Sequence, residues 1–397
     1  MTVVMVTDAS RGSAVAIIRS LIASGHSVVA GDRSRLAPGL YCRGLRHGFR
    51  YPDPTRHAAA YRDTVFKVAR EQRVDLLIPV TDATTGALGP GREANQSHCR
   101  VVAPDPETLD RVHDKNSLLT LAADLGVPVP ATLRIASGGG TPDPNRIGRE
   151  LGWPVVIKPE RSTVATPRGG VVKLEVSYAA DADELEERLG RVLPHCPALL
   201  QEYFPGEGHG LEVLAHRGRI LCAFQHRRIR EVPFTGGASS HREAVDPDPT
   251  LLEYASILMA ATKWTGLAMI EFKVASERIR LMEINGRVWG SLPLAVAAGM
   301  DFPSRLVDLV LDGPPSGPVD TRYRRGTTSR NLGLEITWGL SAVRDGRRTE
   351  GLRVLASLAD PRPGYDIARL SDPLPGLIEL VAIARHLTGK AARALHR

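Results

Sequence analysis

Glu271, Glu283 and Asn285 are the residues whose types and spacing could do chemistry. They lie in GLAMIEFKVASERIRLMEINGRVWGSLPLAVAAGM, where two strand-like runs, AMIEFKV and IRLMEIN, flank a short polar turn and the glutamates stand six residues either side of position 277. An antiparallel hairpin over this stretch sets the two carboxylates opposite each other. The two-residue period of a strand then puts Glu283 and Asn285 on one face and Met282 and Ile284 on the other, while Met269, Glu271 and Lys273 share a face of the first strand. Opposed carboxylates repel, so the arrangement requires a proton or a cation between them. With the amide oxygen of Asn285 beside them, these are hard ligands suited to magnesium, which usually completes its shell with water and substrate phosphates. A nucleotide is the natural partner, and Arg287 would then meet a transferred phosphoryl group. A solvent-facing hairpin whose carboxylates pair with Lys273 and Arg280 explains the same residues without a metal.

A second group of residues suits phosphate. The run PVVIKP reads as a short buried strand with Lys158 its only charge, and a desolvated ammonium needs an anionic partner. Eight residues further on, TPRGGVVKL places Gly169 and Gly170 in a flexible turn between two strands, as a lid over phosphates or a plain hairpin would. In PALLQEYFPGEGHGLEVL a strand ends in a Pro-Gly turn and resumes, so Gln201, Glu202, Tyr203 and Phe204 could offer backbone groups to an adenine edge, with Glu207 within reach of a ribose.

The elements that must position these residues are legible in outline. Val3–Val6, a helical pattern from Ser13 to Ser24 and the strand SVVAGD form a β-α-β unit; a helix around Ala58–Gln72, the strand Asp75–Val80 and CRVVAP extend it into a parallel α/β domain. The loop TDASRGSA has a single glycine and no GxGxxG, so it is read as a tight turn and not as a dinucleotide site. Asp82, at the carboxyl end of a strand, could meet a ligand or simply cap a helix. A helix from about Asn116 to Leu125, stopped by Gly126 and Pro128, marks a domain junction.

Bulk properties exclude several classes. With 397 residues the chain exceeds one compact core, and no apolar run reaches the roughly 18 residues of a spanning helix. The amino terminus reads as a strand and not as a leader, and the four cysteines form no CxxC pair, which argues against disulfides and zinc and for a cytoplasmic location. The net charge of +7 is concentrated from Asp320 onward, where 14 Lys+Arg face 8 Asp+Glu, so the body is nearly neutral and neither nucleic acid nor membrane is an expected partner.

Taken together, PVVIKP, LLQEYFPGEG, IEFK and LMEINGRVWGS resemble, in order and spacing, the ATP-grasp superfamily, nearest its carbamoyl-phosphate synthetase-like and biotin carboxylase-like branch. The resemblance implies an α/β and α+β multidomain chain: a Rossmann-like pre-ATP-grasp domain over 1–113, a small lid region over 114–205, a core with the metal site over 206–312, and a basic extension over 313–397. It also implies ATP with Mg2+, or Mn2+ in its place. Lys115 and Lys158 look like the family's phosphate lysines, Gln201 to Phe204 like its adenine hinge, Glu207 like its ribose ligand, Glu271, Glu283 and Asn285 like its metal ligands, and Arg287 like the arginine that steadies the transferred phosphate. The lid turn is short in glycine, so Arg168 would substitute side-chain contacts there. No AMKM-like biotin attachment sequence occurs and there is a single ATP-grasp unit, which argues against biotin carboxylation and complete carbamoyl-phosphate synthesis.

The expected activity is a carboxylate–amine, or carboxylate–thiol, ligase working through an acyl phosphate on small-molecule substrates; a small-molecule kinase and a non-catalytic nucleotide-binding subunit are the alternatives. FQHRRIREVPFTGGASSHREAV is the best place for substrate: Arg228 could grip a carboxylate bidentately, while His226 and His241 read as solvated. The tail after PPSGP, with an amphipathic helix near Pro375–Leu387, would pack on the core or on a second subunit, leaving a homodimer open.

Overall fold

The computed structural model describes residues 1–397 except 90–98, 141, 162, 166–170, 235, 361 and 396–397, and omits the side chains of 163, 165, 171, 173 and 389–395. The chain begins with five parallel strands, β1 (Val3–Val6), β2 (Ser27–Asp32), β3 (His47–Arg50), β4 (Leu76–Ile78) and β5 (Arg100–Val101), in the order β3-β2-β1-β4-β5. Buried Val4, Met5 and Val6 make β1 the centre, paired in register with Val28 and Leu76 through Val4. The helix Gly12–Ala23 buries Val15, Ile17, Ile18 and Leu21 against this sheet. The helix Asp82–Leu88 starts at Thr81, whose hydroxyl accepts from the Thr84 amide in a capping box. Asp82 is thus the first helical residue and not the cap.

The second layer is antiparallel. The strands β6 (Thr132–Ile135), β7 (Val155–Pro159), β10 (Ser177–Ala179) and β11 (Ala198–Glu202) are ordered β10-β7-β11-β6, and β8 (Thr163–Ala165) pairs separately with β9 (Val171–Lys173). Its apolar face packs on the helices Pro144–Glu150 and Ala182–Val192 through Ile147, Leu185 and Leu189. The junction helix runs Lys115–Asp124, with the Asp114 carboxylate accepting from the Ser117 amide.

The largest sheet holds β12 (Glu207–His216), β13 (Arg219–Val232), β14 (Ala238–Val245), β15 (Gly266–Ala275), β16 (Arg278–Asn285), β17 (Thr328–Arg330) and β18 (Gly364–Tyr365), in the order β16-β15-β12-β13-β14-β17-β18. One face packs through Leu211, Val213, Phe272 and Ile284 on the helix Pro249–Thr262 and on Trp264. A continuous cluster joins Leu214, Phe224 and Trp289 of this region to Val4 of the first sheet and Ile18 of the helix packed on it.

The tail is built into this sheet. Thr328 and Ser329 pair with Glu243 and Arg242 of β14, and β18 adds the outer strand, so residues read as an appended extension complete the sheet's edge. The final helix runs Pro373–Leu395, longer than its periodicity suggests, and follows a segment tied to the first domain by Arg19, which donates to Asp372 and to the Ile367 carbonyl. Arginines of the tail pair locally, Arg322 with Asp320 and Arg347 with Glu350. Among the described residues no helix is long and apolar enough to cross a membrane, and the four cysteines are buried and unbridged.

Candidate active site

The acidic hairpin forms as the spacing requires. β15 and β16 are antiparallel with Glu271 opposite Glu283 and Met269 opposite Asn285. Asn285 Nδ2 donates to Glu271 Oε1 at 3.0 Å and to Glu283 Oε1 at 3.1 Å, so the three side chains converge. Rotating that amide by half a turn presents Oδ1 in place of Nδ2. Two carboxylates and one amide oxygen fit a magnesium ion, which draws the rest of its shell from water and phosphates. No cluster of three or more His, Cys, Asp or Glu side chains suited to a metal occurs among the described residues.

One detail of the hairpin departs from simple alternation. The register shifts between Glu271 and Phe272, which pairs with Leu281, leaving Met282 as the bulged residue. A bulge turns two consecutive side chains toward one face. Met282 and Glu283 therefore both line the cleft, while Leu281 and Ile284 enter the core. The expectation that Met282 faces away is corrected by this extra residue.

The cleft lies between the four-stranded and seven-stranded sheets and encloses about 400 Å³. Lys158 of β7 lines it. Burial pushes the Lys158 ammonium down to about 8, with Lys115 adding to the effect and Glu283 opposing it. Lys115, 8% exposed, opens the junction helix. Burial raises the Glu271 carboxyl, aided by Glu283 and opposed by Arg228. Burial acts the same way on Glu283, but Lys115 and Lys158 outweigh it and hold that carboxyl below its ordinary range.

Two arginines complete the charged set. Arg287 donates from Nε to Asp82 Oδ2 at 2.8 Å, and His113 Nε2 lies 3.5 Å from the same carboxylate. Asp82 thus neither caps the helix nor stands free: it is an ion-pair partner that ties the start of the helix after β4 to the residue two past β16. Arg228 places Nη1 2.9 Å from Glu231 and 3.0 Å from the Gly237 carbonyl, and Nη2 2.6 Å from Glu271. Its fork is engaged by protein carboxylates instead of standing open.

At the other end, Gln201, Glu202, Tyr203 and Phe204 line the cleft with Pro130, Val156, Tyr178 and Met282. Gln201 Nε2 donates to Thr132 Oγ1 at 3.0 Å, Glu202 pairs with Arg280 at 3.1 Å, and Lys273 Nζ sits 5.5 Å from the Tyr203 ring centre. Lys273 and Arg280 thus do not neutralise Glu271 and Glu283. Glu207 is not among these residues. It neighbours Gly208, whose side faces Arg228, so alternation turns Glu207 outward to His209 at 3.1 Å and Arg227 at 3.3 Å. Arg168, Gly169 and Gly170 lie outside the described residues.

His226 and His241 are buried, at 1% and 8% exposure, contrary to their reading as solvated. His226 Nδ1 is 3.1 Å from Glu212 Oε1, which also accepts from Ser291 Oγ at 2.6 Å. A Cβ on Gly210 would fall 2.2 Å from the His226 ring, so only glycine lets the imidazole cross that strand. The polar patterns of β13 and β14 concealed this burial, because Glu212, which faces His226, and Arg230, which donates to His241 Nδ1, lie on neighbouring strands. A second cavity, of about 550 Å³, separates the first sheet from the core beside Arg287; it lacks the acidic set.

Comparison with known proteins bears on the fold. Residues 195–329 match the family model described as ATP-grasp in the biosynthetic pathway with Ter operon. The carbamoyl phosphate synthase large chain, C-terminal section, of Methanopyrus kandleri is 26% identical over 252 residues, covering 55% of this chain and 43% of that protein. The chain therefore matches less than half the length of that relative. A biotin carboxylase β-γ-ATP complex from Campylobacter jejuni superposes with a TM-score of 0.61 at 14% identity, covering 82% of this chain and 74% of the other. An L-amino acid ligase from Bacillus licheniformis gives 0.57 at 15% identity, covering 80% and 75%. The chain has the ATP-grasp fold, as its sequence motifs imply.

Proposed function

We propose that this chain, whose fold is that of the ATP-grasp proteins, is an ATP-dependent ligase that activates a small carboxylate as an acyl phosphate and passes the acyl group to an amine or thiol. The observation that carries the reading is the register of Glu271 opposite Glu283, with Asn285 bonded to both, beneath a cleft that also holds Lys158. The named relatives, a carbamoyl phosphate synthase section, a biotin carboxylase and an amino acid ligase, support that chemistry.

Val156, Met282 and the Gln201–Phe204 segment would enclose an adenine, with Lys115 and Lys158 holding phosphate oxygens. Magnesium bound by Glu271, Glu283 and Asn285 would supply charge neutralisation at the phosphates. Arg287, anchored on Asp82, would steady the phosphoryl group in transit. The chain's contribution is positioning and electrostatics. A carboxylate oxygen bonds to the γ-phosphorus as the bond from that phosphorus to the β–γ bridging oxygen breaks, releasing ADP. The amine nitrogen then bonds to the acyl carbon, phosphate leaves with the electron pair of the acyl C–O bond, and the surplus amine proton passes to solvent.

The test is ADP release with ATP, Mg2+, hydroxylamine and, in turn, acetate, succinate, L-alanine, L-glutamate and a wider set of acids. A ligase yields a hydroxamate from its acyl phosphate. ADP release from a hydroxyl compound without hydroxamate from any acid would identify a kinase and overturn the proposal.

A further inference from the structure

The cleft has two ends. Val156, Tyr178, Gln201–Phe204 and Met282 line the one suited to a nucleotide; Arg228, Ser239, Arg242, Gly290, Ser291 and Asn331 line the other. We propose that Arg242 is a specificity-determining residue that binds the anionic group of the acid being activated, and that the C-terminal segment holds it in place through Asp366; this rests on the ligase reading above.

Arg228 and Arg242 are direct cross-strand partners on β13 and β14, and both reach the cleft. Two like charges so placed oppose sheet pairing unless anions balance them. Arg228 has Glu231 and Glu271. Arg242, whose side chain is 1% exposed, has Asp366, a residue from far along the chain, and donates to the Ser239 carbonyl at 3.1 Å. Asp366 in turn accepts from Ser329 Oγ at 2.6 Å and Asn331 Nδ2 at 3.3 Å. A cation cannot be brought so deep cheaply, and four polar groups are arranged to fix its direction.

The pair has donors to spare. Nε of both guanidinium groups is buried with no acceptor among the described residues. Arginine does not deprotonate in proteins, so these N–H groups stay costly until an acceptor arrives. Were Glu271 to hold a divalent ion, Arg228 would also lose one of its two carboxylates. The two guanidinium groups would then offer the cleft more donors than the protein fills, beside Gly290, where an added side chain would meet nothing within 4 Å. A carboxylate is the group that answers this pattern.

The test uses the acid that gives hydroxamate in the screen above. The double variant Arg242→Met/Asp366→Asn removes the buried charges together, so that neither is stranded. Expected is a rise of tenfold or more in KM for the acid, with KM for ATP within twofold of wild type and the thermal midpoint retained; Arg242→Lys, keeping the charge, recovers part of the loss. A folded double variant whose KM for the acid stays within twofold of wild type overturns the inference and leaves the ligase reading standing. A wild-type protein that gives hydroxamate with no acid overturns both.

Discussion

Arg228 Nη2 lies 2.6 Å from Glu271 Oε2, so a guanidinium stands against a carboxylate assigned to a metal. Asn285 donates to the other oxygen of Glu271, and the hairpin's repulsion is thereby balanced by protein groups alone. A divalent ion bound at Glu271 would exchange one cation for another there and would couple metal binding to the freedom of Arg228.

Arg228→Met leaves Glu231 and Glu271 without their shared cation. Breaking a buried pair from one side costs about 3–5 kcal/mol, so the variant's thermal midpoint falls in the absence of metal. Added Mg2+ should raise that midpoint more in the variant than in wild type, because the ion replaces the missing charge. Equal Mg2+ shifts in the two proteins would show that Glu271 does not take part in metal binding.

Glu283→Gln keeps the shape of the hairpin and removes a charge held ionised by Lys115 and Lys158. ATP turnover should be lost, with the circular dichroism of the folded protein retained. Turnover retained at more than about a tenth of wild type, roughly 1.4 kcal/mol of barrier, sinks the metal assignment.

Gly210→Ala places a methyl group 2.2 Å from the position of the His226 ring. That ring is enclosed and backed by Glu212, so the strand must shift or the imidazole must leave. Overpacking of this kind costs about 1–3 kcal/mol, readable by denaturant titration. An unchanged midpoint would mean that His226 is not fixed across β12.

Glu379 supplies a pH test remote from the cleft. Burial pushes its carboxyl up to about 8, with Asp366 adding to the shift and Arg19 opposing it. The unfolded chain loses this proton near 4.5, whereas the folded protein keeps it until about 8. Between these values the folded state binds more protons, so stability is full below the lower value and declines as pH rises through the window. Glu379→Gln should flatten that decline and raise the thermal midpoint at pH 8 by roughly 2 °C or more. An identical pH slope in variant and wild type would place Glu379 outside the buried helix contact.

The sequence by itself determined the elements whose signals are local. Alternation and turn chemistry fixed the β15–β16 hairpin and with it the Glu271–Glu283 register, as the buried runs around Val4 and Lys158 fixed β1 and β7. Tertiary structure decided whatever depended on distant partners or on one extra residue. The bulge at Met282 reversed a side chain that alternation had pointed away, and Glu207 faced outward once β12 took its register. Asp82 found Arg287 across 205 positions of the chain, and Arg242 found Asp366 across 124. Burial of His226 and His241 follows from neighbouring strands that no local pattern names. Periodicity records which face of an element is apolar; it carries no record of which charged group closes over that face when separate layers meet.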